Sequence, residues 1–347
     1  MSTDPKKTVH ELAQECISKA PVIILGSGAS AAYGIPGMPQ LKDHLLNVAC
    51  PSTVNPNEAA KWTEFLAKLV TTDLETALDD VRLPESLTQF VVESTWDYLA
   101  PFDYQVFEQA IIEHDLFPLT KLFLHLFNST RSDVHVVTPN YDRIAEYAAD
   151  AGKLAHYTGF HYGHIRARAS TSSGRLRVHV GNTVARTVNI WKVHGSFDWF
   201  RDSDGIVVGL PVSNTRPTNV LPVIVTPGIE KYRLTHDEPF HSIKSEADRA
   251  LQNADAYLCI GYGFNDTHLQ TTLVERCRGK DVPLVLLTKS ISAAANEFLN
   301  SGKCSKYLAI EESPSGCRIY SREIPRGEDI AGDSIWQLGE FLKLVIS

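Results

Sequence analysis

Short apolar runs recur along the chain, and each ends in a small or polar residue. Val22-Ile23-Ile24-Leu25 stops at Gly26, Val134–Val137 runs into Thr138-Pro139-Asn140, Ala256–Ile260 stops at Gly261, and Leu284–Leu287 stops at Thr288. Runs of four or five such residues predict strands buried on both faces of a parallel sheet. Between them the apolar spacing becomes helical, over Arg143–Ala151, His236–Gln252 and Thr267–Arg278. This alternation predicts an α/β fold, a Rossmann-like doubly wound parallel sheet.

Residues from about 40 to 130 break the rhythm. Helical patterns over Asn57–Thr71, Leu74–Val81 and Phe107–Phe127, with Pro84 and Pro101 as breaks, predict a helical insertion that covers the site. Alternating patterns at Leu176–Val180, Val188–Val193 and Ile206–Leu210 predict strands, and Val223–Val225 another. The tail reads as a hairpin, Lys306–Ile310 with Cys317–Ser321, then a helix over Ile335–Val345. The expected organisation is one α/β core over 1–290, carrying the insertion. Residues 291–347 would pack on that core or serve assembly.

Composition narrows the function classes. A formal net charge of −8 argues against broad nucleic-acid binding, which needs clustered cations. Arg166, Arg168, Arg175, Arg177 and Arg186 fall close together and read as a solvated β-ribbon face. No apolar run approaches the roughly 20 residues of a bilayer span, and the charged N-terminus lacks a secretory core. Cys16, Cys50, Cys259, Cys277, Cys304 and Cys317 are scattered with no C-x-x-C pair, as expected of a reduced cytoplasmic protein without structural zinc. His161 and His164 lack Cys or carboxylate partners, so no metal site is expected.

The candidate chemistry sits where the strands end. Gly26, Ser27, Gly28, Ala29 and Ser30 form a glycine loop with Ala31 at the third fingerprint position. Such a loop brings amides and a hydroxyl to a phosphate, or merely reverses the chain. Asn140 offers an acceptor and two donors, yet Asn is also a common helix cap. His194 is of the residue type best suited to proton transfer, although a buried core histidine is the plain alternative. Asp198 and Asp266 read equally as turn or cap residues, and Tyr141, Tyr262 and Trp199 as packing aromatics.

Four segments taken in order, G-S-G-A-S-x-x-x-G-I-P at 26–36, T-P-N-Y-D at 138–142, H-G at 194–195 and I-G-Y-G at 260–263, resemble the sirtuin (silent information regulator 2) superfamily of NAD-consuming proteins. The chain departs from the deacylase branch of that superfamily. Gly37-Met38-Pro39 replaces D-F-R, and no cysteine lies between Cys50 and Cys259, where deacylases carry a zinc ribbon. His194–Trp199, Val225–Gly228, Lys231, Ala254-Asp255 and Ile260–Asp266 look like bacterial sirtuin-like NADases of anti-phage defence.

That resemblance implies NAD as substrate, hydrolysed to nicotinamide and ADP-ribose. It implies Asn140, His194 and Asp142 as catalytic residues, with Asp142 accepting from the nicotinamide carboxamide. It places Gly26 to Ser30 on the pyrophosphate, Gly261, Gly263 and Asn265 on the phosphate and ribose side, and Thr288 near the adenosine ribose. It also implies a homo-oligomer gated by a partner, a hexameric HerA-type ATPase or an Argonaute-type protein. The alternatives are an NAD-dependent protein deacylase and a non-catalytic subunit that senses NAD or ADP-ribose.

Overall fold

A computed structural model of the chain describes residues 4–169, 176–226, 238–278, 282–302 and 304–346. Arg175, Gly228, Lys231 and His236 lie outside the described residues. The first strands are β1 (Val22–Leu25), β2 (Asp133–Thr138), β3 (Ala155–Tyr157), β4 (Arg166–Ala167), β5 (His179–Val180), β6 (Thr183–Val184) and β7 (Thr187–Lys192). Then follow β8 (Gly195–Arg201), β9 (Val207–Gly209), β10 (Leu221–Ile224), β11 (Tyr257–Ile260), β12 (Leu284–Leu287), β13 (Tyr307–Ser313), β14 (Gly316–Ser321) and β15 (Glu328–Ala331).

The main sheet has the order β15-β14-β13-β12-β11-β1-β2-β7-β3. From β13 to β3 all neighbours run parallel, and β14 and β15 add an antiparallel edge. The class is α/β with a doubly wound sheet, as the strand–helix alternation predicts. β1 lies between β2 and β11, so the winding reverses there. In such sheets the crevice at the strands' carboxyl ends is the natural place for a ligand.

Alternate residues of each central strand face opposite layers. Ile23 and Leu25 join one core with Val136, Ile190 and Leu258, while Val22 and Ile24 join another with Trp191, Cys259 and Leu286. A third core unites the helical insertion with the small sheet β10-β8-β9-β4, through Trp62, Phe65, Trp96, Phe197 and Phe200. Trp96 Nε1 donates to the Phe197 carbonyl at 2.8 Å, tying insertion to small sheet. All six cysteines are free, and all but Cys50 are buried.

Several sequence expectations need correction. Pro101 does not break a helix but sits inside one of 28 residues, Glu85–Ile112. Burial of Trp96, Leu99, Ala100, Asp103 and Val106 on its inner face outweighs the roughly 3 kcal/mol that an internal proline costs. The expected Phe107–Phe127 helix is two elements, because Phe117 caps a new helix that starts at Pro118 and runs to Leu126. Among the described residues the Leu176–Val180 strand shrinks to β5, which pairs with β6. Arg166 is no solvated face: it pairs with the buried Asp198 and donates to the Leu210 carbonyl at 2.9 Å. The tail contributes three strands to the main sheet. The helix Leu338–Val345 packs on helices Pro5–Ser18 and Pro118–Leu126.

Candidate active site

Four chain segments meet at the carboxyl ends of β1, β2, β7 and β11. The Gly26–Ser30 loop and the Gly261 turn touch backbone to backbone, since Gly28 N donates to Gly261 O at 3.0 Å. Gly261 has φ +57°, and a Cβ there would run into the Gly28 and Ala29 backbone. Only glycine lets the two loops meet so closely. The Gly26 and Ala29 amides are also engaged, by the Ile260 and Gly26 carbonyls. Close packing at the switch point is thus the first task of these glycines.

The Thr138–Asp142 segment is held by its side chains. Thr138 Oγ1 donates to Leu25 O and accepts from Asn140 N, at 2.9 and 3.0 Å. Asn140 Nδ2 donates to Gly26 O and Ser30 Oγ, both at 2.9 Å. Ser30 Oγ in turn donates to Asp142 Oδ2 at 2.6 Å. Asp142 Oδ1 accepts from Ile144 N at 3.2 Å, so Asp142, not Asn140, assists the start of helix Ile144–Ala151. Burial pushes the Asp142 carboxyl above its ordinary range, against the pull of Lys192 and the Ser30 hydroxyl.

His194 sits in the turn that carries the chain from β7 to β8. Gly195 follows it with φ +90°, where a Cβ would strike the Val223 carbonyl. His194 Nε2 lies 3.0 Å from Asp266 Oδ2, and Asp266 Oδ1 accepts from Leu269 N at 3.2 Å. Asp266 therefore caps the helix Thr267–Cys277 with one oxygen and faces the imidazole with the other. The intervening loop holds Phe264 at φ +58°, a conformation rare for a bulky side chain. Packing on Tyr262 and Phe298 and a hydrogen bond from Ser292 to Gly263 O secure it.

Lys192, fully buried two residues before His194, contacts the Asp142 carbonyl oxygen and Glu146 Oε1, the latter at 3.1 Å. It thereby links the strand that carries His194 to the segment that carries Asn140. Burial raises the Glu146 carboxyl despite Lys192. Burial also acts on Asp198, but Arg166, Arg143 and Lys192 outweigh it and hold that carboxyl well below the usual range.

A cleft of about 1170 Å³ opens over these residues. Of the residues singled out from the sequence, Gly26, Ser27, Asn140, Tyr141, His194, Tyr262, Gly263, Asn265 and Asp266 line it. Ser30 and Asp142 stand behind Asn140, and Gly28, Ala29 and Gly261 form the loop contact beneath. Thr288 does not line the cleft; its hydroxyl donates to Ser290 O at 3.0 Å. The insertion supplies a wall that sequence reasoning missed, with Asp73, Glu75 and Asp79 from the helix Leu74–Asp80 and its cap. Glu275 and Arg278 also line the cleft and were missed as well. The D-x-E-x-x-x-D spacing at 73–79, which puts three acids within two helical turns, was the available signal. Tyr141, Tyr262 and Trp199 are buried packing aromatics, and the Tyr141 hydroxyl donates to Val225 O at 2.6 Å.

Among the described residues no cluster of His, Cys, Asp or Glu is arranged to hold a metal ion. None of the described helices is long and apolar enough to cross a membrane.

No family model matches the sequence, and no curated protein matches it. Among solved structures, the chain is similar to a Sir2 homologue in complex with NAD, at 14% identity, 89% coverage of each chain and TM-score 0.42. It is also similar to a structure described under the mechanism and regulation of Sir2 enzymes, at 12% identity, covering 87% of this chain and 92% of that one, TM-score 0.41. A mutant Sir2 homologue bound to ADP-ribose gives 12% identity, 84% and 88% coverage, and TM-score 0.40.

Proposed function

We propose that the chain is an NAD hydrolase that cleaves the nicotinamide–ribose bond and releases nicotinamide and ADP-ribose. One observation carries the reading: Asn140 and His194, past the ends of different strands, line a single cleft at the switch point, His194 facing the buried Asp266 and Asn140 joined to the buried Asp142 through the Ser30 hydroxyl. The order of motifs that resembles NAD-consuming sirtuins supports the choice of substrate. The cleft exceeds the ~300–1000 Å³ of most small-molecule pockets, which leaves room for a dinucleotide.

The chemistry assigns a task to each group. Nicotinamide leaves with the bonding pair, and positive charge develops at the ribose carbon. A water oxygen then bonds to that carbon and gives up a proton. Asn140 is held by Gly26 O and Ser30 Oγ, and its side-chain oxygen can orient the water or a ribose hydroxyl. His194 takes the proton, and Asp266 stabilises the imidazolium that forms. The acidic wall of Asp73, Glu75 and Asp79 suits the cationic pyridinium ring of NAD.

Hydrolysis is preferred over protein deacylation because the chain has no cysteine from 51 to 258 from which to build a zinc ribbon. We further assign the enzyme to anti-phage NAD depletion in the cytoplasm, as a homo-oligomer gated by a partner such as a hexameric HerA-type ATPase. Unrestrained NAD loss would kill its host, so such gating is required. The test is incubation with NAD and quantification of nicotinamide and ADP-ribose, alone and with the partner. Asn140→Ala and His194→Ala should each lower product formation by about 100-fold or more. An unchanged rate in both variants would overturn the assignment.

A further inference from the structure

A separate cavity of about 280 Å³ opens beside the helix Ile144–Ala151. Arg143, Glu146, Tyr147 and Asp150 form one wall, spaced three and four residues apart on one helix face. The segment bearing His156, Tyr162 and Arg166 forms the other wall, with Asp198 between. Each of the three acidic side chains already meets one basic side chain, Asp198 with Arg166, Asp150 with His156 and Glu146 with Lys192, while Arg143 is committed to Asp103.

Glu146 is only 7% exposed, and its Oε2 makes no hydrogen bond; Asp198 Oδ1 is likewise buried without one. Buried acceptors without donors are costly, and each is an opening for a donor brought by a ligand. The Tyr162 ring at the rim is half-exposed and suits a cation over its face.

We propose that this cavity is a second ligand site, which takes a small organic cation, an ammonium or guanidinium group, with Glu146 as its anchor. The site is coupled to the cleft. Glu146 Oε1 already holds Lys192, and Lys192 holds the carbonyl of Asp142. A cation on Oε2 fixes Glu146 in its present orientation, and with it the segment that carries Asn140. The ligand is therefore an activator, a consequence that rests on the proposed hydrolase reading, whereas the binding itself does not.

The experiment titrates the full chain with N-butylguanidine and with the neutral isostere N-butylurea, followed by calorimetry and thermal melting. The guanidine should raise Tm by roughly 1–2 °C at tenfold over its Kd, and the urea should not. Tyr162→Ala should weaken binding several-fold. Glu146→Gln should abolish it, as should the charge-free pair Glu146→Gln with Lys192→Met, which avoids leaving a lone buried lysine. Equal responses to the two compounds, no response, or full binding by these Glu146 variants would overturn the proposal. A short peptide bearing one arginine separates sources: binding of the free guanidine alone supports a small-molecule effector, and peptide binding as well supports a partner's side chain. Nicotinamide release, read in parallel, should rise at least twofold with the guanidine bound. If binding stands while no nicotinamide forms under any condition, the hydrolase reading fails and the site does not.

Discussion

His194 and Asp266 face each other across the cleft, Nε2 to Oδ2, at 3.0 Å. Because the other oxygen of Asp266 caps a helix, asparagine tests the pairing without losing the cap. Asp266→Asn should keep the melting temperature within about 2 °C, since Asn and Asp cap almost equally well. Nicotinamide release should fall by about 10- to 100-fold at saturating NAD, with little change in KM. A loss seen only in KM would assign Asp266 to binding instead.

Ser30 Oγ is the hub of the opposite wall, accepting from Asn140 at 2.9 Å and donating to Asp142 at 2.6 Å. Ser30→Ala leaves a buried carboxylate oxygen without its donor, which costs about 1–3 kcal/mol. Denaturant unfolding should show that loss. Activity should fall further than stability accounts for, because Asn140 loses one of its two anchors. Ser30→Thr, which keeps the hydroxyl, should restore part of both.

Lys192 is buried between the Asp142 carbonyl and Glu146. Lys192→Met strands Glu146 as a lone buried carboxylate and should destabilise the chain by about 3–5 kcal/mol. Adding Glu146→Gln should recover most of that stability. Activity should stay low in the double variant, because the Asp142 carbonyl loses its lysine although the backbone pairing of β2 with β7 remains. Recovery of activity together with stability would show that the lysine serves the fold alone.

What the sequence made legible follows from the range of the interactions involved. β1 and β12 were readable to the residue, because four consecutive apolar residues buried on both faces leave a local signature. Gly26 was readable because it directly follows such a strand, and Asn140 and His194 because each lies two residues past the end of a strand. The His194–Asp266 pair was not: 72 positions separate the two, and only the order β11-β1-β2-β7 brings them together. β8 escaped notice for a similar reason. Its Ser196 and Asp198 look exposed in the sequence, yet both are buried, Asp198 by an ion pair with Arg166. Pro101 misled because local propensity favours a break, while the packing that overrides it is tertiary.

Gly261 joins the two loops at the switch point, with φ +57° and no room for a Cβ beside Gly28 and Ala29. Gly261→Ala combines left-handed strain with overpacking against backbone, together about 2–5 kcal/mol. Since the collision lies on the Gly26–Ser30 loop, NAD binding should weaken even in the fraction that remains folded. Calorimetric titration below the melting transition would detect it. An unchanged Kd would mean that the glycine loop does not contact the dinucleotide.

Asp142 supplies a pH test with a definite sign. Its folded-state carboxyl titrates above the ordinary range because of burial, so the folded chain binds that proton more tightly than the unfolded chain. Between the unfolded value near 3.9 and the raised folded value, stability therefore falls as pH rises. The cost is complete above the folded value and absent below the unfolded one. Asp142→Asn removes the titration, while its side-chain oxygen can still accept from Ile144 N or Ser30 Oγ. Melts of both proteins between pH 4 and 8 should diverge, with the variant gaining on the wild type as pH increases. Parallel curves would mean that Lys192 and Ser30 compensate the burial in full. The same variant should lower NAD cleavage at every pH, because the Ser30 hydroxyl that anchors Asn140 loses its carboxylate partner.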